Sequence, residues 1–329
     1  MKFGCSLEMI NMRISEPGFK HKLSKSYWVE MFKFVAAAGF KGIELPYNPY
    51  STDGIAFNMA RSGMPISKYT VNTKYGSVAS FNDMLNSFGI EKVTSVHVNA
   101  NDALIELLTT GDDPSKIFEK LEASAEEAIE FVAELGGNGL VISPTPELGL
   151  LYQLKGPRIE EWRQDYLSQT AQVLNRIGEL AAKNGVQASI KNEYWSLVRG
   201  NELNVLLDML DSENIQYSPD LAHLFIAKSD PVEMVKKYKN RLNFVRFSDT
   251  KFEDIENNYE KTNPEIPIVG AQRVFADLGD GLVDKVGVYK ELKDSGYDGW
   301  LICESKKALN PYKALLKMRW YVDNVLLKS

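Results

Sequence analysis

The sequence predicts an α/β chain folded as a (β/α)8 TIM barrel, a single domain over residues 1–329, and three observations carry that prediction. Short apolar runs alternate with long helical periodicities along the whole chain, the pattern of a parallel sheet covered by helices. Eight such units in 329 residues suit a closed barrel better than an open sheet, and neither GxGxxG after the first strand nor a phosphate-binding GxxxxGKS/T is present. The last unit, LGDGLVDKVGVYKELKDSGYDGWLICESK (278–306), runs from a glycine-rich loop through a helix and a GYDGW turn. It ends in an apolar strand that delivers Glu304. A buried strand whose C-terminal end carries an acid is how such a barrel places a catalytic group at its open face.

The elements follow in order. KFGCSL (2–7) is a strand, SYWVEMFKFVAAAGF (26–40) an amphipathic helix stopping at Gly39, and GIELPY (42–47) the second strand. FNDMLNSFGI (81–90) is helical and KVTSVHVN (92–99) alternates as a strand. In PSKIFEKLEASAEEAIEFVAELGG (114–137), Ile117, Leu121, Ala125, Ala128, Val132 and Leu135 share one helical face. Asp113 is its expected N-cap, Pro114 stands in its first turn, and Gly136 is its stop. GLVISP (139–144) is a strand, 159–185 a long helix ending at glycine, and VQASIKNEY (186–194) the fifth strand. Then come a helix over 202–212, the strand IQYSPD (215–220), a helix over 231–239, the strand LNFVRFSD (242–249) and the closing unit. The C-terminal YKALLKMRWYVDNVLL has helical spacing and is expected to close the barrel. Residues 48–80 and 250–277 exceed ordinary loops. Both leave strand C-termini, where they would serve as lids, specificity elements or subunit contacts.

Composition excludes several classes. A net charge of −6 argues against a nucleic-acid groove, which needs an electropositive surface. No apolar run approaches a membrane span, and the N-terminus lacks a signal-peptide core. Two distant cysteines, Cys5 and Cys303, match no metal-finger spacing and suit a reducing compartment, so a cytoplasmic enzyme is expected.

Alternate residues of barrel strands point into the lumen. Laid side by side, the strand ends offer Glu44 on the second strand, His97 and Asn99 on the third, and Lys191 and Glu193 on the fifth. The sixth offers Asp220 with His223 three residues on. The seventh offers Arg246 and Ser248 with Asp249 opening the loop, and the eighth offers Glu304 and Lys306. Charged groups inside a barrel are costly unless paired or metal-bound, so this ring predicts a pocket. Tyr47, Tyr194 and Trp195 stand at strand ends where an aromatic wall can stack on a sugar, although ordinary packing explains each of them as well. His21, in a lysine-rich loop, is a solvated surface residue.

GYDGWLICE and the spacing of DLAH resemble the closing units of the sugar phosphate isomerase/epimerase family, the xylose isomerase-like barrels, and the resemblance extends over nearly the whole chain. It implies a divalent metal held by Glu, Asp, His and Glu on strands five to eight, with the two glutamates moving a proton at the carbon next to a carbonyl. Asp220 and Glu304 match the sixth- and eighth-strand ligands, and His223 matches a substrate-contacting histidine. Two positions depart from the pattern. IKNE (190–193) puts Lys191 where the family has glutamate, and VRFSD (245–249) puts Arg246 where it has histidine. Ser143 stands where many relatives carry histidine.

Two readings of the site follow. In a metal-free pocket, Arg246 and Lys191 polarise a carbonyl or bind an anion, and Glu304 and Glu193 move the proton. In a metal-bound one, Glu193, Asp220 and Glu304 supply three oxygen ligands, which suits manganese or magnesium. The expected catalytic set is Glu304, Glu193 and Lys191. The expected substrate contacts are His223, Arg246, His97, Glu44, Trp195 and Asp249. The resemblance implies isomerisation or epimerisation of a small sugar or polyol derivative. A lyase or dehydratase acting on a keto-sugar or inositol derivative and a non-catalytic sugar-binding subunit are the alternatives. It also leaves a homo-oligomer open, since relatives often pair through barrel helices. The endonuclease branch of the superfamily needs a histidine-rich site and a basic face, which three histidines and a negative charge do not provide.

Overall fold

Eight parallel strands form the barrel: β1 (Lys2–Ser6), β2 (Gly42–Tyr47), β3 (Lys92–Asn99), β4 (Gly139–Ser143), β5 (Gln187–Lys191), β6 (Ile215–Ser218), β7 (Val245–Phe247) and β8 (Trp300–Cys303). The structure, a computed structural model, describes residues 1–10, 12, 18–49, 63–155, 159–198, 200–256, 258 and 274–329. The hydrogen-bonded order is β6-β5-β4-β3-β2-β1-β8-β7. The two outer strands meet through parallel bridges at Tyr217–Leu242 and Asp220–Arg246. Asn243 N and Arg246 N donate to Tyr217 O and Pro219 O, each at 2.8 Å, and draw the seam together. The eight-unit order read from the sequence is therefore the observed one.

Helices cover the strands as the apolar periodicity requires. In the helix Ile117–Glu134, Leu121, Ala125, Ala128 and Val132 are buried in the core with the strands, and Ile117 is buried among neighbouring helices with Leu104, Leu107 and Leu148. Asp113 caps the preceding 3-10 turn by accepting from Ser115 N, and Gly136, at φ +69°, ends the helix in the left-handed region that favours glycine. A fully buried aliphatic side chain in such a face contributes about 1.5–3 kcal/mol. Among the described residues, no helix is long and apolar enough to cross a membrane.

Three features differ from the sequence reading. The segment after β3 carries an extra helix, Ala100–Thr110, whose first turn is capped by Asn99 Oδ1 accepting from Asn101 N at 2.9 Å. Residues 48–80 contain helices at Lys68–Tyr75 and Val78–Phe88, so the helix expected at 81–90 starts earlier, capped by Ser77. Residues 50–62 lie outside the described residues. The segment after β7 opens with Asp249–Thr250 paired antiparallel to Phe275–Ala276, and 257 and 259–273 lie outside the described residues.

The lumen is layered. Val141, Phe244 and Ile302, with Trp300 against them, form an apolar plug. Two residues further along β4 and β8 the same inward parity gives Ser143 and Glu304. The polar layer thus lies toward the C-terminal ends of the strands, where this fold keeps its sites.

Candidate active site

The sequence places a charged residue at nearly every inward strand end, and the structure joins them into one hydrogen-bonded ring. On one side, Arg246 spans the lumen. Its Nη2 donates to Glu44 Oε1 and its Nη1 donates to Glu304 Oε2 at 3.2 Å. Glu44 also accepts from Ser6 Oγ at 3.1 Å and from Ser95 Oγ at 2.9 Å. On the other side, His97 lies between Glu8 and Ser143: its Nδ1 meets Glu8 Oε1 and its Nε2 is 2.8 Å from Ser143 Oγ. Ser143 donates to Glu193 Oε1 at 2.8 Å, which also receives Lys191 Nζ at 3.1 Å. Ser143 Oγ thus bridges His97 and Glu193.

Asp220 links the two sides. It caps the short helix Leu221–Ile226 by accepting from His223 N, and for this reason the DLAH spacing brings the acid and the imidazole together. Its Oδ1 accepts from Ser248 Oγ. Around its Oδ2 stand Lys306 Nζ at 2.8 Å, Lys191 Nζ at 3.9 Å and His223 Nε2 at 3.9 Å. Lys306 Nζ is also 3.5 Å from Glu304 Oε2. Asn192 positions the acid from beneath, accepting from Asp220 N at 2.8 Å and from Tyr217 OH at 3.0 Å.

Protonation states follow from these contacts. Burial pushes the Glu304 carboxyl above its ordinary range despite Lys306 and Arg246. Burial would also raise Glu193, but Lys191 and the other cations outweigh it and hold the carboxyl at about 2. Asp220 is likewise held well below the carboxylate range, where burial is overcome by Lys306 above all. Burial would lower Lys191, but Glu193 and Glu8 keep it firmly charged. His223 is lowered to about 3 by burial and by Lys306. Its Nδ1 accepts from Tyr194 N at 2.8 Å, so the neutral ring carries its proton on Nε2. That N–H has no hydrogen-bond partner among the described residues, and neither has Glu304 Oε1.

The expected site residues separate into groups. Glu304, Glu193, Lys191, Asp220, His223, His97, Glu44 and Arg246 are all buried members of the ring. Within it, both terminal nitrogens of Arg246 are spent on Glu44 and Glu304, so the arginine holds the ring together from within. Trp195 packs edge-on against His223 at 4.7 Å between ring centres and against Phe275 at 5.7 Å. Asp249 stands apart. It accepts from Gly279 N and Gly281 N at 2.9 Å each and pairs with Lys285 at 2.6 Å, clasping the loop before the helix Lys285–Asp294. Sequence reasoning gave no role to Glu8 or Lys306, although Lys306 shares the inward parity of Glu304. Nor did it single out Asp102, pushed up to about 7 by burial and by Glu8, Glu193 and Glu147.

These residues do not fit a divalent cation. Among the described residues, no three His, Cys, Asp or Glu side chains gather as ligands. Lysine ammonium groups stand between the three carboxylates that would bind it: Lys191 beside Glu193 and Asp220, and Lys306 beside Asp220 and Glu304. Unit charges 4 Å apart interact by about 4 kcal/mol at an effective dielectric constant near 20, so one ammonium would oppose a divalent ion by about 8 kcal/mol.

Lys306 also lines a cavity of about 240 Å³ with Phe275, Lys307, Ala308 and Asn310. A larger surface cavity, about 550 Å³ and lined by Phe225, Asp230, Ile255 and Leu282 among others, shares no residue with the ring.

Known proteins resemble this chain along most of its length. An inosose dehydratase from Lacticaseibacillus casei is 24% identical over 215 residues, covering 64% of this chain and 72% of that protein. Among solved structures, a probable 3-DHS dehydratase from Bacillus anthracis superposes with a TM-score of 0.67 at 15% identity, covering 99% of this chain and 100% of the other. A sugar phosphate isomerase/epimerase from Parabacteroides distasonis gives 0.62 at 15% identity, covering 98% and 94%. Residues 32–321 match the family described as xylose isomerase-like TIM barrel, and the chain belongs to that family.

Proposed function

We propose that this chain is an enzyme that removes a proton from the carbon next to the carbonyl group of a small sugar or polyol derivative. The observation that carries this is the opposed state of two buried carboxyls in one ring. Glu193 is held ionised and Glu304 is pushed toward its protonated form. Environments that drive two carboxyls apart mark a base and an acid. Glu193 takes the proton, and Glu304, with Oε1 uncommitted among the described residues, supplies one. Returning a proton to the same or the neighbouring carbon gives epimerisation or isomerisation.

The likeness to inosose dehydratases favours a second outcome on the same groups. In that outcome Glu193 removes the proton, a carbon–carbon double bond forms, and the neighbouring hydroxyl departs as water after taking the proton of Glu304.

Incubating the protein with a panel of keto-sugars and keto-polyols in D2O tests both. Deuterium at the carbon beside the carbonyl, followed by NMR, is expected for epimerisation or isomerisation, and loss of the proton signal at that carbon for elimination. An enone absorbing in the ultraviolet identifies elimination. A ligand that raises Tm with neither exchange nor enone formation would replace this reading by a non-catalytic sugar-binding role.

A further inference from the structure

We propose that Lys191 and Lys306 jointly take the place of a divalent cation, so that the substrate's carbonyl oxygen is held by protein ammonium groups and by the Nε2–H of His223. This deepens the reading above and rests on it. Three nitrogen donors, from strand β5, the turn just after β8 and the helix after β6, surround one oxygen, Asp220 Oδ2, at 3.9, 2.8 and 3.9 Å. Their sum of two positive charges equals that of one divalent ion. They stand among Glu193, Asp220 and Glu304, the acids a metal would use.

The donors are arranged to receive a further oxygen. Lys306 has three N–H bonds and makes ion pairs with two carboxylates, Asp220 and Glu304. It lies over the Phe275 ring, 5.4 Å from its centre, at the inner wall of the 240 Å³ cavity. The tautomer of His223 is fixed by Tyr194 N, and its Nε2–H has no partner among the described residues. An oxygen placed between Lys306 and His223 would receive two hydrogen bonds with Lys191 behind them. Fixed donors aimed at a developing oxyanion stabilise it without reorganising.

Mn2+ titration of the chelator-treated full-length protein, followed by electron paramagnetic resonance and by Tm, decides the matter independently of activity. The native protein is expected to show no stoichiometric site and no shift in Tm. Lys191→Glu, which exchanges an ammonium for a ligand, is expected to bind Mn2+ at least about tenfold more tightly than native. One Mn2+ per native chain overturns the proposal. Should Lys191→Glu fail to fold, Lys306→Met, which removes the ammonium beside Asp220 and Glu304, is expected to gain Mn2+ affinity instead. Mn2+ affinity unchanged from native in every variant that folds also overturns it. Failure of the proton-transfer reading appears separately, as absence of both deuterium exchange and enone formation in D2O whatever the metal result.

Discussion

Lys306, two residues beyond the acid Glu304, turns its ammonium onto Asp220 of the sixth strand unit, 2.8 Å from Oδ2, and keeps Glu304 Oε2 at 3.5 Å. One side chain thus stands between an acid held well below the carboxylate range and an acid that burial pushes above it. Lys306→Met keeps much of the volume but removes the nearest cation from the buried Asp220. Breaking a buried pair on one side costs roughly 3–5 kcal/mol, and the 10% exposure of the Lys306 side chain places the loss at or below the lower end. Urea denaturation should show that loss with an unchanged m-value; a change under about 0.5 kcal/mol would mean that Ser248 and Lys191 suffice for Asp220.

The apolar plug under the ring makes a second prediction. A Cβ on Gly139 would stand 2.2 Å from the Phe244 ring and 2.7 Å from Ser95 Cβ. Phe244 cannot retreat easily, because it is held at φ +48° among Val141 and Ile302. Gly139→Ala is expected to destabilise by about 1–3 kcal/mol, as overpacking of a filled core does. Unchanged Tm would show that the plug has room to give.

The barrel was legible because its signal is local: apolar runs of strand length, helical faces such as Ile117 to Val132, and glycine stops each act within one element. Inward parity also identified most of the ring. The partners were not legible, because they depend on how strands stagger around the closed barrel. Arg246 meets Glu44 from 202 positions away, and no spacing announces it. Asp249 sits on the same strand end as Ser248, yet the backbone N–H groups of 279 and 281 fold back and claim it. Glu8 lies beyond β1 in a 3-10 turn, where strand parity no longer applies, and still reaches His97.

Stability should respond to pH in two regimes. Below about pH 6.5 the unfolded chain protonates His223 while the native ring stays neutral to about 3, so this group favours unfolding as pH falls. Asp102, at about 7, and the raised Glu304 act in the opposite sense, holding protons that the unfolded chain has released. Between about pH 6.5 and 4.5 the proton that Asp102 holds offsets the one that unfolded His223 takes up, and the raised Glu304 adds stability as pH falls. Below about 4.5 the unfolded chain binds protons at Glu8, Glu193 and Asp220 that the native state refuses. Each such proton removes about 1.4 kcal/mol per pH unit. Urea midpoints should therefore stay level or rise slightly down to about pH 4.5 and fall steeply beneath it. A steady decline beginning at pH 6.5 would mean that Asp102 and Glu304 are ionised in the native protein.

The two carboxylates held by Arg246 should answer differently to loss of charge. Glu304→Gln imitates a protonated acid: it keeps a carbonyl oxygen for the Nη1 contact and loses only the transferable proton. Its Tm should stay close to native, while deuterium exchange into a keto-sugar falls by about 10²–10⁴-fold, the usual contribution of a positioned acid or base. Glu44→Gln removes the ionised partner of a fully buried guanidinium whose other neighbour is the raised Glu304. Roughly 3 kcal/mol of stability should be lost there, because Arg246 is left with too little negative charge in a site closed to water. If instead Glu304→Gln is the destabilised variant and Glu44→Gln the stable one, Glu304 is the ionised partner of Arg246 and cannot supply the proton that the proposed reaction needs.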